Sequence, residues 1–219
     1  RVSGYFTAAT GITIYRGDAL GKTFRGNAVI ADAGSNLIHR KLLHYNGVQP
    51  VAERPKDEQQ REFIASTDNW FRPVQFANAP DGCLYVADMY RETIEHPWSI
   101  PESIKKHLDL NSGNDRGRIW RIAPKGFKPP KRKLPGNMTA SELVQTLAHP
   151  NSWHRDTAAR LIYERQDKSI VFDLTELAAD NKKPLGQTHA LWALHGLGAL
   201  KKEHVLQALE KGKPEVRVQ

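Results

Sequence analysis

The sequence predicts a partial β-propeller up to about residue 123, followed by an α-solenoid of HEAT-like helical repeats. Three observations predict this. Short apolar or β-branched runs alternate with turn formers through the first 123 residues, which is the pattern of antiparallel strands. Two stretches of that region echo each other. "NAVIADAGSNLIHRK" and "CLYVADMY…GRIWRIA" both give an apolar strand ending in Ala-Asp, a break, and an Ile-centred strand ending in Arg. Strand-turn-strand units repeating every 40 to 60 residues or roughly so mark propeller blades. Past residue 138 the apolar spacing changes to three or four, as helices require.

The strand runs in chain order are "YFTAATGITIY", "NAVIADA", "NLIHRKLLHY", "REFIAST", "CLYVADMY" and "GRIWRIA". Ala33-Gly34-Ser35-Asn36, Asn46-Gly47 and Pro80-Asp81-Gly82 separate them as turns. "FRPVQFANAPDGCLYVAD" has the form of a hairpin turning at Pro80-Asp81-Gly82, which sets Arg72 nearly opposite Asp88. The second copy of the echo carries an insertion of 25 residues, "RETIEHPWSIPESIKKHLDLNSGND". Within it "IPESIKKHL" predicts a short surface helix, with Pro101 in the first turn and Ile104 and Leu108 four apart. Residues 124–138 read as a basic Pro-rich linker between a propeller segment, 1–123, and a solenoid, 139–219.

The helical runs are "TASELVQTLAHP", "NSWHRDTAARLIYER", "KSIVFDLTELAAD", "LGQTHALWALHGLG" and "KEHVLQALEKG". Thr139 with Glu142 forms a capping box at the first of them. Thr157-Ala158-Ala159 and Thr188-His189-Ala190 lie 31 residues apart, and Leu147 and Leu177 lie 30 apart. Two helices in about 30 residues make a short HEAT-like unit. The chain opens at Arg1 in mid-pattern and stops inside a third helical unit. The expectation is a piece of a longer protein, whose remaining blades and solenoid repeats cover the open ends of this one.

Composition narrows the function classes. The formal charge is +8, but residues 115–133 alone hold eight Lys or Arg against one Asp, and the remainder is almost neutral. A charge confined to a solvated linker argues against nucleic acid as a partner. No stretch approaches the roughly 18 uncharged apolar residues of a membrane span. The single cysteine, Cys83, excludes an internal disulfide, a CxxC metal knuckle and a CxxCH haem attachment, and its setting is that of a small buried residue. Phosphate-loop, GxSxG, HExxH and dinucleotide fingerprints are all absent. His39 and His44, five apart in a strand, face opposite sides, and His149, His154, His189 and His195 fall at helix ends or on helix faces.

Two groups remain as candidate chemistry. Arg72 follows Trp70 and Phe71, and a guanidinium held by aromatic neighbours is pre-organised to grip a carboxylate or a planar anionic cofactor. Asp88 ends a strand, and Glu92, Glu95 and His96 follow in the loop. Three carboxylates and an imidazole suit either a calcium ion, on Asp88, Glu92 and Glu95, or proton abstraction by His96 with Asp88. The alternative for both groups is structural: Trp70 and Phe71 as core with Arg72 paired with an acid on the next blade, and a loop fastened by hydrogen bonds with His96-Pro97 as a turn.

"FRGNAVIADAGSNLIHRKLL", the run from "REFIAST" to "RIWRIAP" and "LAHPNSWHRDTAARLI" resemble the membrane-bound dehydrogenase domain proteins of planctomycete-type bacteria. The resemblance implies the last two to three blades of a propeller similar to the glucose/sorbosone dehydrogenases, then HEAT-like repeats, often joined to a c-type cytochrome module. It implies a periplasmic or exported protein that oxidises a small-molecule substrate, a sugar or alcohol, and passes electrons to a cytochrome partner. In the more distant quinoprotein sugar dehydrogenases, basic residues bind pyrroloquinoline quinone. Aligned on "NWFRP", Arg72 takes one of those positions and Trp70 another, while the cofactor-contacting Lys falls on Gly34 or Ser35. Without CxxCH there is no covalent haem in this chain. Two other classes stand beside the dehydrogenase: a non-catalytic interaction scaffold, and a calcium-dependent lactonase-like hydrolase.

Overall fold

The computed structural model describes residues 6–47 and 49–218. Tyr5, at the head of the first strand run, and the domain limits at residues 1 and 219 lie outside the described residues. The chain divides into two compact units, residues 1–127 and 128–219.

The first unit holds two antiparallel sheets. Strands β1 (Ala9–Ile14), β2 (Ala28–Asp32), β3 (Leu37–Asn46) and β4 (Gln49–Glu53) run side by side, and the two-residue β5 (Ile64–Ala65) also pairs with β3. The second sheet is a meander of β6 (Pro73–Asn78), β7 (Leu84–Asp88) and β8 (Arg118–Ile122). Alternation sends Val29, Ala31 and Ile38 of one sheet and Phe76, Leu84 and Val86 of the other into a shared core, closed by Tyr15 and Phe71. Edge strand β1 lies directly on β6. Gly11 permits that approach, since an added Cβ would stand 2.6 Å from the Val74 carbonyl oxygen and 2.8 Å from the Gln75 Cα. The buried Tyr15 hydroxyl donates to the Gly82 carbonyl at 2.6 Å and accepts from the Leu20 amide at 2.9 Å, so its polar tip is satisfied inside the core. Asn78 accepts from the Arg16 amide and donates to the Ile14 carbonyl, which completes the seam.

Helices α2 (Ala140–Thr146), α3 (Ser152–Arg165), α4 (Val171–Ala179), α5 (Pro184–Gly196), α6 (Lys202–Lys211) and α7 (Pro214–Arg217) make the second unit; α1 (Glu102–Lys105) belongs to the first. The helices of the second unit surround Leu143, Leu147, Ala158, Ile162, Leu174, Ala190 and Leu194, all fully or almost fully buried. The end of the stretch expected as a linker packs on α3, where Arg165 donates to the carbonyls of Met138 and Gly136. None of the helices described is long and apolar enough to cross a membrane.

The predicted fold class is corrected on both counts. In place of the last two to three blades of a β-propeller, the described residues form one five-stranded and one three-stranded sheet, without closed blades. Alternation and turn signals announce antiparallel strands but do not count the strands in a sheet or close it. In place of an α-solenoid of HEAT-like repeats there are helices of unequal length, from four to fourteen residues, around one core. The 30-residue spacing of Leu147 and Leu177 marks two buried positions of that core. It does not impose a superhelix. Strand β4 escapes the sequence signals because Pro50 and its fully exposed pattern mimic a loop. In α1, Pro101 stands at the cap, not in the first turn.

The capping box at Thr139 forms as its spacing predicts: the Glu142 amide donates to Thr139 Oγ1, and Glu142 Oε2 accepts from the Thr139 amide at 2.7 Å. Lys133 Nζ adds an ion pair at 2.7 Å. The Lys133 ammonium first, and then the Thr139 amide, hold the Glu142 carboxyl down at about 2, against an ordinary 4.5. Its folded pKa lies below the unfolded one, so its stabilisation is complete above pH 4.5 and is lost as pH falls towards 2. Thermal unfolding of the wild type and Glu142→Gln, followed by far-ultraviolet circular dichroism, checks this. The wild-type advantage at neutral pH should shrink to nothing across that window.

Candidate functional site

The hairpin brings Arg72 and Asp88 together. Pro73 pairs with Asp88 in register, the Arg72 amide donates to Asp88 Oδ1 at 2.8 Å, and the Met89 amide returns a bond to the Arg72 carbonyl. Both side chains are buried, Arg72 at 7 % and Asp88 at 3 % exposure. A buried charge is tolerable only when its polar atoms are satisfied: Asp88 is paired with Arg118, and the Arg72 guanidinium is hydrogen-bonded to three backbone carbonyls.

Asp88 Oδ1 also accepts from the Tyr90 amide at 3.0 Å. Its Oδ2 accepts from Arg118 Nε at 2.8 Å and from Trp120 Nε1 at 2.9 Å. A carboxylate has about four acceptor sites, so this one is saturated. The register explains how: Asp88 faces Arg118 across the β7–β8 ladder, and Trp120 lies two residues further on the same face. Arg118 reaches on to Asp68 Oδ2 at 3.0 Å and lies over the Tyr90 ring, 3.9 Å from its centroid. Partial burial opposes its charge, but the carboxylates of Asp68 and Asp88 hold its pKa above the ordinary value. The Trp70 amide, and then Arg118, hold the Asp68 carboxyl below its ordinary value.

Arg72 faces inward. Its Nε donates to the Arg91 carbonyl at 2.8 Å, Nη2 to the Glu92 carbonyl at 2.7 Å and Nη1 to the Ala33 carbonyl at 2.9 Å. One guanidinium therefore ties the root of the inserted loop, residues 89–117, to the first sheet. The loop's return end comes back to the same place: Gly113, at φ +85°, leaves no room for a Cβ beside the Tyr90 carbonyl. Tyr90 itself is held at φ +51°, a left-handed geometry that a bulky residue keeps only under constraint.

The remaining predicted residues are not gathered here. Trp70 is half-buried and packs on Tyr90, ring centroids 5.3 Å apart. Glu92, Glu95 and His96 are exposed. His96 caps a single 3-10 turn, Pro97–Ser99, its Nδ1 accepting from the Trp98 amide at 3.2 Å. Among the described residues no group of three or more His, Cys, Asp or Glu is arranged to hold a metal ion. The expected calcium set Asp88, Glu92 and Glu95 is not brought together: the Asp88 oxygens carry four donors, and Glu92 and Glu95 are exposed. Arg72, the expected quinone anchor, directs all three guanidinium nitrogens at backbone carbonyls. Cys83 is fully buried, and burial first, then Asp81, pushes its thiol up to about 11.

The first sheet repeats the device. Asp32, also ending the middle strand of a meander, accepts from the Ala8 amide at 3.1 Å and the Gly34 amide at 3.0 Å through Oδ1. These are the counterparts of the Arg72 and Tyr90 amides. Its Oδ2, however, has no hydrogen-bond partner among the described residues. The register puts Leu37 and His39 where Arg118 and Trp120 stand in the second sheet. His39 turns instead to Glu62, its Nδ1 2.5 Å from Oε2. Sequence reasoning missed Arg118, Trp120 and this second aspartate, although the Ala-Asp echo and a period-2 alignment across the ladder point to them.

A family model described as "Domain of unknown function (DUF7133)" matches residues 1–126. No curated protein and no solved structure matches the chain.

The two aspartates should respond differently to neutralisation. Asp88→Asn loses the charge that Arg118 requires and faces Trp120 Nε1 with a second donor. It should cost about 3 kcal/mol, within the range for breaking a buried pair. Asp32→Asn keeps the accepting oxygen and removes a carboxylate charge with no cation on it among the described residues, so its cost should be about 1 kcal/mol or less. Denaturant unfolding of both variants checks the order.

Proposed function

The chain belongs to the DUF7133 family, and on that premise we propose that its first unit is an interaction module that holds out the 89–117 loop for a protein partner. One observation carries this reading. The Arg72–Asp88 lock fixes the loop root, while Trp98 farther along the loop is 92 % exposed. Tryptophan is costly to leave in water and is enriched among residues that dominate interfaces. His96 caps the turn that carries Trp98, so its imidazole has a positioning part on this reading, not a proton-transfer one. Ile104 on α1, also exposed, adds a second apolar contact on the same loop.

The sugar or alcohol dehydrogenase implied by resemblance is the rival, with the calcium-dependent hydrolase behind it. Both need Arg72 or Asp88 to turn donors or acceptors towards a ligand, and in this geometry both groups point into the protein's own backbone and side chains. Three measurements on the intact protein separate the classes. Mass spectrometry of released cofactors should find no quinone, a sugar and alcohol panel should reduce no dye, and added calcium should leave the melting temperature unchanged. Trp98→Ala and His96→Gln should also melt within about 2 °C of wild type, since surface changes are usually small. A released quinone or substrate-dependent dye reduction would sink the proposal in favour of the dehydrogenase.

A further inference from the structure

The outer strands of the two sheets are treated differently. β1 and β6 lie on each other, and β4 carries Pro50, which blunts an edge. β8 has neither protection. Among the described residues it pairs with β7 alone; it contains no proline and leaves Ile119 77 % exposed beside the exposed Arg121. An open strand edge with an apolar residue on it is a ready template for another strand.

Charge restricts what that strand can be. Arg116, Arg118, Arg121 and Lys125 cluster at and beside β8. Arg118 is engaged by Asp88 and Asp68, and Arg121 stands 3.6 Å from Asp81 while remaining 44 % exposed. Lys125 has no ion-pair partner among the described residues. A second copy pairing edge to edge would bring these cations together, and like charges across a ladder repel. The cluster disfavours self-association and favours an anionic partner.

We propose that β8 binds an extended acidic segment of a partner protein by strand addition. Main-chain bonds to the open edge give affinity, and alternate side chains give specificity. Ile119 and Arg121 lie on one face, two residues apart. The incoming strand therefore sets an apolar side chain beside Ile119 and a carboxylate beside Arg121, also two residues apart. The inference rests on the interaction-module reading only in treating the first unit as a binder; the Trp98 loop is a separate surface.

The test uses the full chain and a fluorescent peptide repeating Val-Thr-Glu-Thr, with two backbone N-methylated versions in the two alternate phases. Expected are binding that weakens with salt, slowed amide exchange in residues 118–122, and loss of binding in one methylated phase but not the other. Arg121→Gln should weaken binding about tenfold, as loss of a favourable charge pair at a rim does, while melting within about 2 °C of wild type, because the half-exposed pair with Asp81 contributes little; Trp98→Ala should leave binding unchanged. No binding would overturn the proposal, and so would equal binding by both methylated peptides or by a version with Lys in place of Glu. Those outcomes leave the Trp98 loop untouched as a docking element. Loss of peptide binding in Trp98→Ala would instead place the peptide on the loop and overturn the assignment to β8.

Discussion

The first unit depends on one buried carboxylate. Asp88 stands at the end of β7 where three segments converge: the entry to β6 through the Arg72 amide, the loop through the Tyr90 amide, and β8 through Arg118 and Trp120. Hydrogen bonds to a charged group contribute about 1.5 to 3 kcal/mol each, roughly twice the neutral value. Four of them on one group make its protonation or neutralisation a cooperative loss. Arg72 extends the same network to Ala33 of the first sheet, so the loop, the second sheet and the first sheet share one polar junction. Arg72 and Asp88 thus fasten the loop root through hydrogen bonds that converge on one point.

The paired arrangement at Asp32 shows which part of the device is general. Two amides on one carboxylate oxygen close the β1–β2 and β6–β7 pairs alike. In the first sheet a four-residue turn follows, with Asn36 at φ +58° donating to the carbonyls of Asn69 and Phe71. In the second a long loop follows, and the second carboxylate oxygen takes an arginine and an indole. The extra donors accompany the insertion. The 89–117 excursion has more chain entropy to restrain than a four-residue turn, and the added bonds sit at its root.

Much of this was legible in the sequence, and the limits have physical causes. The hairpin around Pro80-Asp81-Gly82 put Arg72 opposite Asp88, because register in a two-stranded ribbon follows from the turn. The Ala-Asp echo marked two strands of equal form, and Thr139 with Glu142 marked a helix start. What a local pattern does not carry is how many strands join a sheet, so the propeller was over-read from strands that are real. Nor does it carry the direction of a donor. Whether the guanidinium of Arg72 meets a ligand or the carbonyls of Arg91 and Glu92 depends on a loop whose path no periodicity encodes. Arg118 was hidden by its place in a basic run, which reads as a solvated stretch until the ladder sets it against Asp88.

The most direct test of the carboxylate's role is residue-resolved amide hydrogen exchange in wild type and Asp88→Ala, which removes the oxygen that both amides share. The account predicts that exchange accelerates most at the Arg72 and Tyr90 amides, by about tenfold or more beyond any global change, as local opening requires. The Ala8 and Gly34 amides, held by Asp32, should follow the global change alone. Equal acceleration at all four amides, or none at Arg72 and Tyr90, would contradict the claim that Asp88 holds this unit together at that junction.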